Sequence, residues 1–175
     1  IELGYGSDLD LVFVHGMDEQ ADTDGLKVIS GFEFAMRVAQ KFMSLMTTQT
    51  LDGRVYEIDT RLRPSGEAGL LVTSFKAFEQ YQFKSAWVWE HQALVRARSI
   101  AGENSLCQDF EQLRCRILTQ VRDEGMVRDE VIKMRQKMKA HLGSSKEQQK
   151  DGIFHLKQDA GGIVDIEFMA QYAVL

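Results

Sequence analysis

The chain has 175 residues, 44% of them hydrophobic and 27% charged, with a formal net charge of -5. That length and composition exclude disorder and fibrous repeats and suit one domain, or one compact domain with an appendage. The acidic balance argues against a main affinity for nucleic acid, and no apolar run reaches the roughly 18–20 residues of a membrane span.

Cys107 and Cys115 are the only cysteines, too few for a disulfide scaffold or a cysteine zinc site. With no basic-then-apolar leader at the start, a soluble cytoplasmic protein is expected. Ile1-Glu2-Leu3 does not read as a start, and Gln171 to Leu175 stops inside a helical pattern, so a longer parent protein is expected.

Leu9 to Val14 is apolar apart from Asp10 and predicts a buried strand. Residues 15–29 read as an acidic loop. Ser30 and Glu33 then have capping-box spacing, and Phe32, Ala35, Met36, Ala39, Phe42, Met43 and Met46 follow at helical period. Arg54 to Arg63 alternates as a strand, with Tyr56, Ile58 and Leu62 on one face and Val55, Glu57, Asp59, Arg61 and Arg63 on the other. Pro64 to Gly69 is a loop, Leu70 to Thr73 a short strand, and Ser74 the cap of a helix carrying Phe75, Phe78 and Tyr81.

From residue 86 the pattern is helical, and a single proline in the chain agrees with that. Leu106, Phe110, Leu113, Ile117 and Val121 form one stripe, and Val127, Val131, Met134, Met138 and Leu142 a second, closed by Gly143. Ser144 to Gly152 is polar and reads as a linker, and Gly161-Gly162 opens a last helix. Strands precede residue 75 and helices follow it. The expected class is α+β, a small mixed β-sheet core with helices followed by a helical region. The expected borders are a core over 1–100, a helical extension over 101–143, a linker over 144–152 and the start of a further helical domain over 153–175.

The chemistry concentrates in Gly6-Ser7-Asp8-Leu9-Asp10-Leu11. Positions i and i+2 of a strand share a face, so Asp8 and Asp10 point the same way at the edge of a buried sheet. Two carboxylates there repel and are costly to desolvate, a conflict that a divalent cation removes, and oxygen ligands favour Mg²⁺ or Mn²⁺ over zinc. Solvated aspartates at an exposed strand start are the bland alternative. On the second strand Asp59, Arg61 and Arg63 fall on one face. Asp59 can then complete a three-carboxylate, two-cation site, and Arg61 and Arg63 can bind phosphate oxygens. The alternative here is a ladder in which Asp59 merely neutralises Arg61. Gly4, Gly6 and Ser7 let backbone amides approach a ligand, while no Walker A or Rossmann glycine pattern is present. Together the two strands spell metal-assisted phosphoryl or nucleotidyl transfer.

Gly6-Ser7, Asp8-Leu9-Asp10 and a later third Asp resemble the nucleotidyltransferase superfamily that includes DNA polymerase β. The strings Glu2 to Phe13, Tyr56 to Gly66, Trp87 to Arg98 and Lys157 to Gln171 narrow the resemblance to bacterial glutamine synthetase adenylyltransferase, over nearly the whole chain. That family carries two nucleotidyltransferase domains, one adenylylating a tyrosine of glutamine synthetase and one removing the AMP by phosphorolysis. Glu90 to Arg98 and the Tyr81-Gln82 pair look like the C-terminal, adenylylating domain, with the deadenylylating domain as runner-up.

The resemblance implies ATP as substrate and Mg²⁺ or Mn²⁺ held by Asp8, Asp10 and Asp59. It places Gly6 and Ser7 in the nucleotide-binding turn and Arg61 and Arg63 at the phosphates. The metals would grip the triphosphate and lower the pKa of the incoming tyrosine, with Asp59 as base and pyrophosphate leaving. It also implies glutamine synthetase as partner, with the PII signal protein and glutamine acting on the longer parent. The family's Gly-Gly pair falls just upstream of Glu2. A metal-dependent Asp-x-Asp glycosyltransferase and a non-catalytic regulatory ATP-binding module are the rival readings.

Other features point to packing. Gln20 to Gly25 lacks the ligands of a calcium loop. His15, His91, His141 and His155 have no zinc spacing. Trp87, Trp89, Glu90 and His91, with Arg96 and Arg98, read as helix packing with ion pairs. Lys157, Asp165 and Glu167 read either as nucleotide contacts or as a charge network holding the helical region.

Overall fold

The computed structural model describes residues 7–18, 20–51, 53 and 56–175. Its chain divides into two compact units, Ile1–Ser85 and Ala86–Leu175.

The first unit holds four short strands, β1 (Asp8–Asp10), β2 (Phe13–His15), β3 (Glu57–Asp59) and β4 (Val72–Ser74), with helices α1 (Gly31–Thr47) and α2 (Phe75–Lys84). The extended segment from Asp8 to His15 serves two partners. β1 pairs in parallel with β3, Leu11 N donates to Asp59 O (2.8 Å), and the chain then changes neighbour so that β2 pairs in parallel with β4. The single strand expected over Leu9–Val14 is therefore two strands, because the ladder changes partner between Leu11 and Phe13.

The strand expected over Arg54–Arg63 is also shorter. Arg54 and Val55 lie outside the described residues, and β3 ends at Asp59. The cause is local. Asp59 Oδ1 accepts the amide of Arg61 at 2.8 Å, a side-chain-to-backbone turn that takes the chain out of the ladder. Arg61 and Arg63 consequently do not share a strand face with Asp59.

Ser30 caps α1, its Oγ accepting Glu33 N (3.2 Å), and Glu33 then pairs with Arg37 one turn on. Ala39 of α1, Val72 of β4 and Phe78 of α2 are the buried apolar centre of this unit. Ser74 both ends β4 and caps α2 through Ala77 N, as its position in the sequence suggests.

The second unit comprises α3 (Val88–Leu94), α4 (Asn104–Leu118), α5 (Glu124–Leu142), α6 (Lys146–Lys150) and α7 (Ile163–Val174). Residues 86–100 make their contacts here, where α3 packs on α4, α5 and α7. Leu94, Leu113, Ile117, Val127, Val131 and Val164 are buried among these helices. Val121 does not extend the α4 stripe and is fully exposed, since α4 stops at Leu118. The Arg122 guanidinium reaches back to the carbonyls of Ile117 and Leu118 and satisfies that helix end. The polar stretch expected as a linker carries α6, capped by Ser145, and Ser144 is bonded to Asp159. With helices predominating over two parallel strand pairs in residue count among the described residues, the class is α+β.

Candidate active site

In a parallel ladder, residues in register present side chains to the same face. Asp8 stands opposite Glu57 and Asp10 opposite Asp59, so these acidic residues share one face of β1–β3, while Leu9 and Ile58 turn their half-buried side chains the other way. The Asp-x-Asp alternation thus does what its spacing suggests. Asp8 and Asp10 are exposed, and the Asp59 side chain is 15% exposed. Ser7 precedes β1 and is half-buried; Gly4 and Gly6 lie outside the described residues.

Asp59 is held firmly. Its Oδ1 accepts Arg61 N, and its Oδ2 accepts Arg61 Nε at 2.8 Å and pairs with Arg61 Nη2. The side-chain bond from Arg61 is the main cause holding the Asp59 carboxyl below the usual aspartate range, against the opposing effect of burial. Reciprocally, Asp59 raises the Arg61 pKa, and the charges of Glu67 and Asp10 act in the same direction.

Among the described residues, no three His, Cys, Asp or Glu side chains stand close enough to hold a metal ion. The donor set itself suits a hard divalent cation, being all carboxylate oxygen on one face. In this conformation, however, the positive charge at Asp59 comes from Arg61. The ion pair weighed as the alternative on the sequence is present, formed within one turn rather than across strands.

A cavity of about 590 Å³ opens beside the ladder, lined by Asp8, Glu57, Asp59, Arg61, Arg63 and Glu67 among others. Asp10 is outside that lining. Arg63 enters the site differently from the expectation. Its Nη1 donates to Thr60 O and Thr60 Oγ1 (both 2.8 Å), its Nη2 to Glu67 O (3.1 Å) and its Nε to Gly69 O (3.2 Å). Those bonds tie both ends of the Thr60–Gly69 loop to one guanidinium. The loop is tight: Ser65 (φ 62°) and Gly66 (φ 56°) are left-handed, and a Cβ on Gly69 would stand 1.9 Å from Pro64 O. Glu67, in the short 3-10 turn Gly66–Ala68, joins the cavity wall without any periodic signal in the sequence. Glu57 was visible as the residue two before Asp59.

Of the remaining charged candidates, all in the second unit, Arg96, Glu167 and Asp165 are paired there. Arg96 Nη1 bonds Glu167 Oε1 (3.0 Å), and Arg135 pairs with Asp165 while its Nη2 donates to Gln158 O (2.8 Å). Asp159 is 5% exposed and accepts Ser144 N, Ser144 Oγ and His155 N. The backbone bond from His155, then those from Ser144, push its pKa down to about 2. At the start of α3, Glu90 is buried and its Oε2 accepts Trp87 N (2.8 Å), which accounts for that pair as packing and capping. No helix of the described residues is long and apolar enough to cross a membrane.

Comparison with known proteins follows the same residues. The sequence profile of the glutamate-ammonia ligase adenylyltransferase family matches residues 1–113. The chain is 85% identical over all its 175 residues to the bifunctional glutamine synthetase adenylyltransferase/adenylyl-removing enzyme of Acinetobacter baylyi. It is 53% identical over 176 aligned residues to the protein of that name in Hahella chejuensis, and 52% over 183 to that in Pseudomonas aeruginosa, again over its whole length. It spans 19%, 18% and 19% of these three proteins, respectively. Together with the ladder of carboxylates, these matches establish that the chain belongs to the glutamate-ammonia ligase adenylyltransferase family.

Proposed function

We propose that this chain forms the adenylylating site of a glutamine synthetase adenylyltransferase, transferring AMP from ATP to a tyrosine of the synthetase and releasing pyrophosphate. The observation that supports this best is the β1–β3 register, which sets Asp10 opposite Asp59 with Asp8 on the same face, above a cavity large enough for a nucleotide.

Asp8, Asp10 and Asp59 would hold Mg²⁺ or Mn²⁺. When bound, the cations supply charge stabilisation at the phosphates and lower the pKa of the attacking tyrosine, which is about 10 unperturbed. Asp59 is suited to that work as a fixed anion. Held below the usual carboxylate range by Arg61, it is a weak base while that contact lasts. Arg61, its side chain 69% exposed at the mouth of the cavity, can turn to a phosphate oxygen. Arg63 serves by holding the loop that carries Arg61 and Glu67. Ser7 and Gly6 would complete the nucleotide-binding turn.

The domain borders proposed with this reading are a catalytic core over the first unit, Ile1–Ser85, and a helical region from Ala86 that carries the polar stretch 144–152 and the last helix. The parent would act in the cytoplasm on glutamine synthetase, under the PII signal protein. The phosphorolytic, adenylyl-removing half is the second reading, because relatives carrying both activities in their name match the whole chain.

Incubating the intact protein with α-labelled ATP, Mg²⁺ and unmodified synthetase separates the two. Label on a synthetase tyrosine that vanishes in Asp59→Asn is the expected result. Phosphate-dependent release of AMP from modified synthetase, lost in the same variant without any forward labelling, would reassign the chain to the removing half.

A further inference from the structure

The face shared by Asp8, Asp10, Glu57 and Asp59 carries no lysine or arginine within either strand, and at Asp59 a cation, Arg61, is bonded to it. Asp59 Oδ1 is committed to the Arg61 amide, so Oδ2 is the oxygen left for a ligand, and it receives the guanidinium. The two partners differ in freedom. The Asp59 side chain is 15% exposed and anchored at the end of a ladder, whereas the Arg61 side chain is 69% exposed. Breaking the contact therefore strands the carboxylate far more than the guanidinium, unless another cation takes its place.

We propose that Arg61 is the resident counter-cation of Asp59, and that a divalent cation and the Arg61 guanidinium exclude each other at Asp59 Oδ2. Cation entry releases Arg61 into the cavity it lines with Asp8, Arg63 and Glu67, where an anionic phosphate group is the partner of matching charge and fork geometry. The site thereby exchanges one cation for another instead of leaving a half-buried carboxylate unpaired. This rests on the metal-site reading above and adds to it a competitor built into the chain.

The test is equilibrium binding of Mn²⁺ alone, without nucleotide, to the intact protein, read by electron paramagnetic resonance of the free ion. Asp59→Asn, which keeps the amide-accepting oxygen of the turn, defines the binding that belongs to this site. Arg61→Gln should bind that Asp59-dependent Mn²⁺ about tenfold more tightly, the scale of one charge-assisted hydrogen bond removed from competition. Arg61→Lys, which keeps the charge but loses the fork, should fall between. Equal or weaker Asp59-dependent binding in Arg61→Gln, with circular dichroism unchanged, would overturn the exclusion while leaving the metal site standing. No Asp59-dependent binding in any of the proteins would overturn both.

Discussion

Asp59 shows how much one side chain can settle. Its carboxylate ends β3 by accepting the Arg61 amide, and the same group receives the Arg61 side chain. The paired aspartates of β1 were legible because period two is a property of any strand. The fates of Arg61 and Arg63 were not, because alternation continues through residue 63 in the sequence while the backbone leaves the ladder after residue 59. Arg63 then spends its donors on the carbonyls of its own loop. Arg63→Lys, which cannot span those acceptors, should speed amide hydrogen exchange at Gly66 and Gly69, whose protecting bonds lie inside the loop. Unchanged exchange would place Arg63 elsewhere. Gly69→Ala should disrupt the same loop, since its Cβ would meet the Pro64 carbonyl at 1.9 Å; thermal unfolding would show a loss of about 1–3 kcal/mol. Asp159 carries a pH signature. With a pKa of about 2 when folded, below the ordinary 3.8, it adds stability that is present above pH ~4 and fades as the pH falls toward 2. The stability gap between the natural protein and Asp159→Asn, measured by urea unfolding, should narrow between about pH 6 and pH 3. A constant gap would contradict the assignment.

At the scale of elements, the helices were the most readable part. Long runs at period 3.6 with Ser30, Ser74 and Gly143 at their ends predict α1, α2 and α5 close to where they lie. Ser30→Ala should lower stability by about 1 kcal/mol, read from chemical unfolding, as expected for a lost N-cap. Ile117→Ala and Leu113→Ala, at 0% and 1% exposure on α4, should each lower it by about 2–5 kcal/mol. A loss under about 1 kcal/mol at both would show that α4 is not the centre of the second unit. The strands were readable as types but not as extents. At three residues each they depend on which neighbour supplies the next hydrogen bond, and periodicity carries no record of neighbours. The stretch after Gly143 holds more local structure than its composition announces, for a related reason. Its polar composition predicts a linker and carries no sign that Ser145 caps a short helix there or that Asp159, fifteen residues beyond Ser144, anchors the turn.

At the scale of the whole molecule, the strands that carry the acidic face belong to one unit, and the ion pairs of Arg96 and Arg135 belong to the other. Sequence strings spread over both units point to the family, and the profile match over residues 1–113 and the 85% identity over the whole chain to the relative from Acinetobacter baylyi agree with them. The chain nonetheless spans only about a fifth of those relatives, so the activity proposed for it rests on the β1–β3 ladder itself. The most direct measurement is therefore the rate of AMP transfer to glutamine synthetase by the intact protein, with Asp10→Asn and Asp59→Asn compared at matched folding by circular dichroism. The account predicts that each substitution lowers the rate by about a thousandfold or more, the several kcal/mol that metal-assisted charge stabilisation supplies. Rates within a few-fold of the natural protein in both variants would contradict it and move the chemistry away from this face.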